Sequence, residues 1–555
     1  MNITPMRGRK IHYAVTLLWG MACLSGAASA DPVPPEPAAK FEVADVHASA
    51  KSTNPDTGDM SGGLMRGGLY RLRRATMLDL VRLAYGVDAK KVLGGPSWLE
   101  LDRFDVQAKA PAGTTAATVK PLLQALLAER FSLVVHNDTK PVPAWALTAT
   151  KHPQLKKAED SDKSGCRLDN PSGEGSNGGS AQPAVRQFEI TCHSMTMEAL
   201  AAGMSDLPGA WAFLNDNLVV DQTGLQGAWD FNLKMSQRWG VTTAGAEIIS
   251  LFDGLEKIGL KLDPAMVPMP VVVVDSVNRA PTPDSPEALK AFPPPPTEFE
   301  VAEVKMSAPE THDVNFRIQP GGRVNVQGAT LKFMIEEIWG ITDDMLVGAP
   351  KSLDEQRWDV VAKAPEIIAE GGGDDADADF DALFAMFRAL LADRFKLAVH
   401  YEEKPVSAYT MTASKPKLKK ADPNSRTSCK EGPPTLMKID PRSSNPVLGR
   451  LLSCTNTSMA YLADQLQYVA NGYVHSPVLD NTGLEGGYDF TLSFSTIGQF
   501  RGGTLPPPGT TASDPNGAIS LPDAMEKQLG LKMELVKRPV KVLVIDHVEE
   551  KPTDN

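Results

Sequence analysis

Three cationic side chains recur as a group. Arg130, His136 and Lys140 stand in "ALLAERFSLVVHNDTKPVPAWALTATK", from Ala125 to Lys151. Arg394, His400 and Lys404 stand at the matching places of "ALLADRFKLAVHYEEKPVSAYTMTASK", from Ala389 to Lys415. A guanidinium, an imidazole and an ammonium brought together could hold an anionic ligand, and the imidazole would make that hold pH-sensitive. Strand alternation in "SLVVH" puts Ser132, Val134 and His136 on one face and Leu133 and Val135 on the other. In "KLAVH" the outer face carries Lys396, Ala398 and His400. The plainer expectation is an Arg at a helix end, a solvated strand face and a Lys in the turn before Pro141. These six residues form the candidate ligand-binding set.

Four aspartates also share one place. "FDVQAKA" at Phe104, "WDFNLKM" at Trp229, "WDVVAKA" at Trp358 and "YDFTLSF" at Tyr488 each run aromatic, Asp, then alternating residues. Paired carboxylates are a common acid–base device. A carboxylate present in all four segments serves each segment's own fold more simply, because Asp at a strand entrance accepts bonds from turn amides. Asp105, Asp230, Asp359 and Asp489 are therefore expected to be scaffold, and no residue is assigned to catalysis. Gly224, Gly227, Gly483 and Gly486 of "DQTGLQG" and "DNTGLEG" look like turn chemistry on the same grounds.

"DDADADFDALF" from Asp374 invites a calcium reading through Asp375, Asp377 and Asp379. A calcium loop of the EF-hand kind needs glycine at its sixth place and glutamate at its twelfth, where Phe380 and Met386 stand. The acids suit the N-terminus of a following helix better. Neither G-x-S-x-G, nor a Walker loop, nor G-x-G-x-x-G after a strand, nor H-E-x-x-H occurs, so no cofactor or metal is expected. Catalytic groups drawn from distant loops would leave no such motif.

The 555-residue chain is too long for one core, and its formal charge of −12 has no basic cluster beyond the N-terminus. Nucleic acid is not an expected partner. Arg7, Arg9 and Lys10, then "AVTLLWGMACL", then "ASA" ending at Ala30 read as a signal peptide over residues 1–30, with 31–40 a linker. The alternatives are a retained anchor or a lipid on Cys23. No later stretch is apolar enough to span a bilayer, so the mature chain is expected to be exported and soluble, periplasmic or secreted. In an oxidising compartment the remaining cysteines are expected as the bridges Cys166–Cys192 and Cys429–Cys454, one per half.

The text is duplicated throughout. "FEVADVHAS" at Phe41 returns as "FEVAEVKMS" at Phe299, and "VVVVDSV" at Val271 as "VLVIDHV" at Val542. One module spans 41–280 and its repeat spans 299–550, with a Pro-rich extended spacer at 281–298 and a tail at 551–555. In "TMLDLVRLAYG" and "TLKFMIEEIWG" the apolar residues fall on a helical stripe, with Thr76 and Thr330 as N-caps and Gly86 and Gly340 just past the ends. "TMEALAAGM" and "SMAYLADQL" repeat the device from Thr196 and Ser458. The expected fold is α+β: a tandem duplication, each copy built from two small helix–strand–helix–strand units packed as two-layer α/β sandwiches.

A capped short helix, a Gly-rich turn, an aromatic-led strand and a second helix resemble the short periplasmic modules of secretins and TonB-dependent transducers. That resemblance implies partner binding without an active site. Over nearly all of both copies, "FEVADVHAS", "LLAERFSLVVHNDTKPVPAWALTATK", the Cys pair and "VVDQTGLQGAWDF" resemble an uncharacterised exported family of soil bacteria known only by a number. It implies an envelope or secreted location. In some relatives the module sits beside a membrane metallopeptidase of the antirepressor type, which hints at sensing. The functional expectation is an exported non-enzymatic interaction protein that binds an envelope protein or a small ligand. A secreted hydrolase with an unrecognised site and a structural envelope protein are the alternatives.

Overall fold

The computed structural model describes residues 40–49, 60–158, 164–169, 187–214, 217–236, 248–319, 321–365, 369–370, 377–437, 440, 442, 445, 447–500 and 517–553. Residues 1–39 with Cys23, most of the segments "CRLDNPSGEGSNGGSAQP" and "GGTLPPPGTTASDPNG", and Asp374 and Asp375 lie outside the described residues.

The first copy runs β1 (Val43–Ala48), β2 (Ser61–Arg66), β3 (Leu69–Thr76), α1 (Met77–Tyr85), β4 (Val92–Gly94), β5 (Arg103–Lys109), α2 (Val119–Phe131) and β6 (Val134–Ala149). It continues through β7 (Lys156–Lys157), β8 (Gly165–Asp169), β9 (Gln187–Thr196), α3 (Met197–Ala202), α4 (Trp211–Leu214), β10 (Leu218–Asp221), β11 (Ala228–Ser236), α5 (Leu251–Lys257) and β12 (Leu260–Ser276). After α6 (Pro286–Ala291) the second copy begins with β13 (Val301–Met306), β14 (Asn315–Gln319), β15 (Arg323–Thr330), α7 (Leu331–Trp339), β16 (Leu346–Val347) and β17 (Arg357–Lys363). A small ribbon of β18 (Ala369–Glu370) and β19 (Asp377–Ala378) precedes α8 (Phe380–Arg394) and β20 (Ala398–Ala413). The last unit holds β21 (Lys419–Lys420), β22 (Ser428–Glu431), β23 (Arg450–Thr457), α9 (Met459–Val469), β24 (Val478–Asp480), β25 (Tyr488–Phe494), α10 (Leu521–Ala524) and β26 (Leu531–His547).

The helix ends follow their caps. Thr76 Oγ1 accepts the Asp79 amide, Asp79 returns to the Thr76 amide, and Gly86 closes α1 in the left-handed region at φ 63°. Thr196, Thr330 and Ser458 likewise accept the amide three residues on at the starts of α3, α7 and α9. Each unit then buries its helices on a four-stranded sheet, ordered β1-β5-β3-β2 in the first unit and β13-β17-β15-β14 in its repeat. Met77, Leu80, Val81 and Ala84 of α1 meet Leu123, Leu127 and Phe131 of α2 in a core that Val272 and Val274 of β12 complete. Phe104 meets Phe131 edge-on at 4.9 Å, and Trp358 meets Phe395 likewise at 5.3 Å. Fully burying such a side chain is worth about 1.5–3 kcal/mol.

The fold is α+β and duplicated, as expected, with one addition. β6 and β12 pair antiparallel along nearly their whole length and join both units of the copy, and β20 and β26 repeat the pairing. Pro141 pairs with Pro268, each nine residues beyond the residue that ends the preceding helix segment (Ser132, Gly259). Pro405 pairs with Pro539 after Lys396 and Gly530 in the same way. The antiparallel pair therefore joins equivalent strands about a local two-fold through the proline pair. β10 then runs parallel to β6 and β4 parallel to β12, so each unit contributes an edge to the other's strand. Lys140 accordingly lies within a continuous strand and not in a turn. Neither proline has an N–H, so the pair takes the non-hydrogen-bonded kind of position, where none is needed.

The bridges Cys166–Cys192 and Cys429–Cys454 are formed, each between directly opposed residues of a hairpin, β8–β9 and β22–β23. The spacer differs from its expected extended form. Ser285 caps α6, Pro286 starts it, and Ala288 is buried, so part of the Pro-rich segment is folded onto the first copy.

Candidate functional site

The structure separates the six cationic candidates. Arg130 is buried, and its guanidinium donates to the carbonyl oxygens of Ala44, Val46 and Thr282 and pairs with Asp284 at 2.7 Å. Asp284 also accepts the Val46 amide, so Arg130 fastens the start of the spacer to β1. Arg394 reaches the carbonyl of Ala302 on β13, the counterpart of Ala44. His136 and Lys140 lie on the exposed strand face instead. His136 Nδ1 lies 2.9 Å from Asp275, and Lys140 lies 2.7 Å from Asp138. His400 meets Asp546 at 2.9 Å and Lys404 meets Glu402 at 3.0 Å. Four residues of strand put His136 and Lys140 roughly 13 Å apart along the chain. Each cation thus faces a carboxylate or carbonyl of its own.

The four aspartates do one job. Asp105 accepts the Arg74 amide at 2.8 Å, Asp230 the Ser194 amide at 2.8 Å, Asp359 the Gly328 amide at 3.0 Å and Asp489 the Asn456 amide at 3.1 Å. Arg74, Ser194, Gly328 and Asn456 all have positive φ, and each sits where the neighbouring strand slips register just before a helix cap. The carboxylate holds a β-bulge that turns the strand into its helix. Asp379, from the acidic run, is the N-cap of α8 and pairs with Arg73 of the first copy at 3.3 Å.

A groove on each copy has the features of a docking site. In the first copy it is framed by edge strand β4, by Gly94 and Gly95, and by the 3-10 turn Ser97–Glu100. Gly94 has φ 68°, and a Cβ there would stand 2.8 Å from the Val274 carbonyl oxygen, so the strand can approach β12 only as glycine. This groove is filled by the second copy. Arg426 donates to the carbonyls of Val92 and Gly94, the Thr427 amide donates to the Ser97 carbonyl at 3.0 Å, and Lys430 meets Glu100 at 3.0 Å. Burial holds the Arg426 guanidinium below its ordinary value, while Glu100 opposes the shift. Leu436 of the second copy packs beside the first copy's other core. The basic start of β22 thus sits in a groove with Glu100 at its rim.

In the second copy the equivalent surface is a cleft of about 440 Å³ lined by Leu346, Gly348, Pro350, Lys351, Asp354 and Glu355. It runs into a second cleft of about 280 Å³ bordered by Phe333, Glu336 and Arg357, with Lys332 and Asp354 shared by both. Asp354 stands where Glu100 stands in the first copy, whereas Lys332 and Glu336 replace Leu78 and Arg82. Burial pushes Glu336 up to about 7, against the pull of Lys332 and with help from Asp343, Asp354 and Glu337. Asp343 holds Lys332 charged. Sequence reasoning missed this site. Its signal was the exchange of Leu78 for Lys332 and Arg82 for Glu336 on helices that share their apolar stripe.

No group of three or more His, Cys, Asp or Glu residues placed to hold a metal occurs among the described residues. No curated protein and no solved structure matches the chain. The family model described as a protein of unknown function, DUF3738, matches residues 78–277 and 332–548, one segment in each copy. The two segments cover well over half of the sequence, and the chain therefore belongs to the DUF3738 family.

Proposed function

We propose that this chain is an exported interaction protein of the cell envelope or extracellular space, whose modules dock basic extended segments or similar ligands in grooves with a carboxylate at the rim. The observation that carries the reading is the first copy's groove, filled by Arg426, Thr427 and Lys430. It supplies one worked case of what the module accepts. The second copy presents the corresponding cleft with Asp354 at its rim. The repeated polar residues add support, since the four aspartates and Arg130 are spent on bulges and a strap. Two disulfides and the N-terminal leader pattern support export. Among the described residues no helix is long and apolar enough to cross a membrane.

A second reading, a hydrolase, is favoured by Glu336 alone, a carboxyl with a value near neutrality in a cleft beside Lys332. A photo-crosslinking residue at Lys351 of the full chain in intact cells separates the two. Docking predicts discrete adducts that Asp354→Lys abolishes. Absence of adducts, together with turnover of an ester, peptide or glycan lost in Glu336→Gln, would replace docking by catalysis.

A further inference from the structure

We infer that the cleft of the second copy is a site for an arginine side chain carried on an extended segment of a partner protein, its guanidinium bridging the backbone carbonyls of Leu346 and Gly348. The inference rests on the docking reading and names the chemistry that this cleft selects.

The filled groove of the first copy shows which atoms do the selecting. β4 pairs with β12 in the register Val92 to Val272 and Gly94 to Val274. In a parallel ladder alternate residues turn their carbonyls away from the partner strand. Those of Val92 and Gly94 turn outward, and Arg426 Nη2 donates to both. The Thr427 amide then donates to the Ser97 carbonyl at 3.0 Å, and Lys430 reaches Glu100 at 3.0 Å. The segment after the arginine thus follows the 3-10 turn from β4 to its acidic end.

The second copy repeats each acceptor. β16 pairs with β26 in the register Leu346 to Leu543 and Val347 to Val544, which matches Val92 to Val272 and Leu93 to Val273. The carbonyls of Leu346 and Gly348 therefore face outward at the edge of their sheet. Gly348 keeps the backbone form of Gly94, at φ 81° against 68°. The 3-10 turn Lys351–Asp354 repeats Ser97–Glu100 and so offers the Lys351 carbonyl to a ligand amide and the Asp354 carboxylate at the far end. Where Arg426 and Thr427 stand in the first copy, the second has its cleft of about 440 Å³.

Charge and shape favour a guanidinium over an ammonium. Lys332 is held by Asp343 and Glu336, which leaves the exposed carboxylates Asp354 and Glu355 against Lys351 in this cleft. Two carbonyls two residues apart on one strand suit a planar fork of donors. A guanidinium is also less strongly hydrated than an ammonium, so it loses less on entering the cleft.

A peptide copied from residues 424–430, with serine for Cys429, serves as the probe, because it carries the arginine, threonine and lysine of the filled groove. Fluorescence anisotropy of the labelled peptide with the full chain reads its binding. Since the first copy's groove is already filled, one site is expected, with a Kd on the order of 100 µM. Lysine in place of the peptide's arginine should weaken binding about tenfold or more, and Asp354→Lys in the chain likewise. Because Asp354 also lies 3.4 Å from the Thr330 hydroxyl, Glu355→Lys serves as a second chain variant, expected to weaken binding about threefold. Absence of binding, equal affinity for the lysine peptide, or binding unaltered in both chain variants would each overturn the arginine site. Hydrogen exchange at Val92–Leu99 in Arg426→Glu/Lys430→Glu reads the internal docking separately. Exchange that quickens there while the peptide fails to bind wild type would sink only the arginine site. Exchange unaltered by that variant would sink the docking reading itself.

Discussion

Lys430 Nζ lies 3.0 Å from Glu100 Oε2, and this pair joins β22 of the second copy to a 3-10 turn of the first. Glu100 is mostly shielded, whereas Lys430 is half exposed, so the pair alone is worth about 0.2–1 kcal/mol. Arg426 beside it is partly buried and donates to two carbonyls, and removing it takes that donor from both. We expect Arg426→Ala to cost about 1–3 kcal/mol and Lys430→Ala less than about 1 kcal/mol. Urea unfolding of both variants at low and high salt checks this, with salt narrowing only the Lys430 difference.

Arg130 carries a larger load. Its guanidinium is buried with three carbonyls and Asp284 around it, on the path by which the spacer leaves the first copy. Truncation leaves Asp284 without its main counter-charge. Arg130→Ala is therefore expected to destabilise the first copy by about 3–5 kcal/mol. His136→Ala, on the exposed face, should stay within about 0.5 kcal/mol. Thermal melts of the two variants compare a buried and an exposed member of the same sequence motif. Equal effects would remove the structural role given to Arg130.

The helices, the aromatic-led strands and the disulfides were legible because caps, periodicity and cysteine pairing are local signals. Thr76, Gly86 and the stripe of α1 needed no tertiary knowledge. The long strand pair of β6 and β12 was not legible. Lys140–Pro141 carries a strong local turn signal, and only the pairing of Pro141 with Pro268, far along the chain, makes a strand of it. Arg130, His136 and Lys140 looked like one set because they recur as one. In three dimensions Arg130 turns inward from α2 while the other two ride an exposed strand. Repetition preserves each residue's separate duty as well as it would preserve a shared one.

Asp105 offers a test of that duty. It accepts the Arg74 amide and the Ser49 hydroxyl at once, at 2.8 and 2.6 Å. Arg74 is held at φ 55°, a conformation that only a bonded bulge makes economical for a side chain of that size. Asp105→Ala should therefore cost about 1–3 kcal/mol, and Asp359→Ala, which serves Ser307 and Gly328, a similar amount. Arg74→Gly in the Asp105→Ala background should recover part of the loss, because glycine needs no help to reach positive φ. Chemical denaturation of the two single variants and the double variant measures the recovery. Additive losses would contradict the bulge account.

Glu336 sets a pH dependence whose sign follows from its direction of shift. Burial raises it from an ordinary carboxyl value to about 7, so between roughly pH 4.5 and 7 the folded chain binds a proton that the unfolded chain has released. Stability from this group is therefore full below the unfolded value and is lost as the pH climbs to about 7. The loss is up to about 3 kcal/mol, at 1.36 kcal/mol per unit. Lys332, Asp343, Asp354 and Arg357 border the same cleft, and their charges set how much of that loss is expressed. Glu336→Gln keeps the shape and removes the titration. Its unfolding free energy should match wild type near pH 5 and exceed it near pH 8. A constant difference between variant and wild type across that range would show that Glu336 is ionised throughout and that its burial does not govern the cleft.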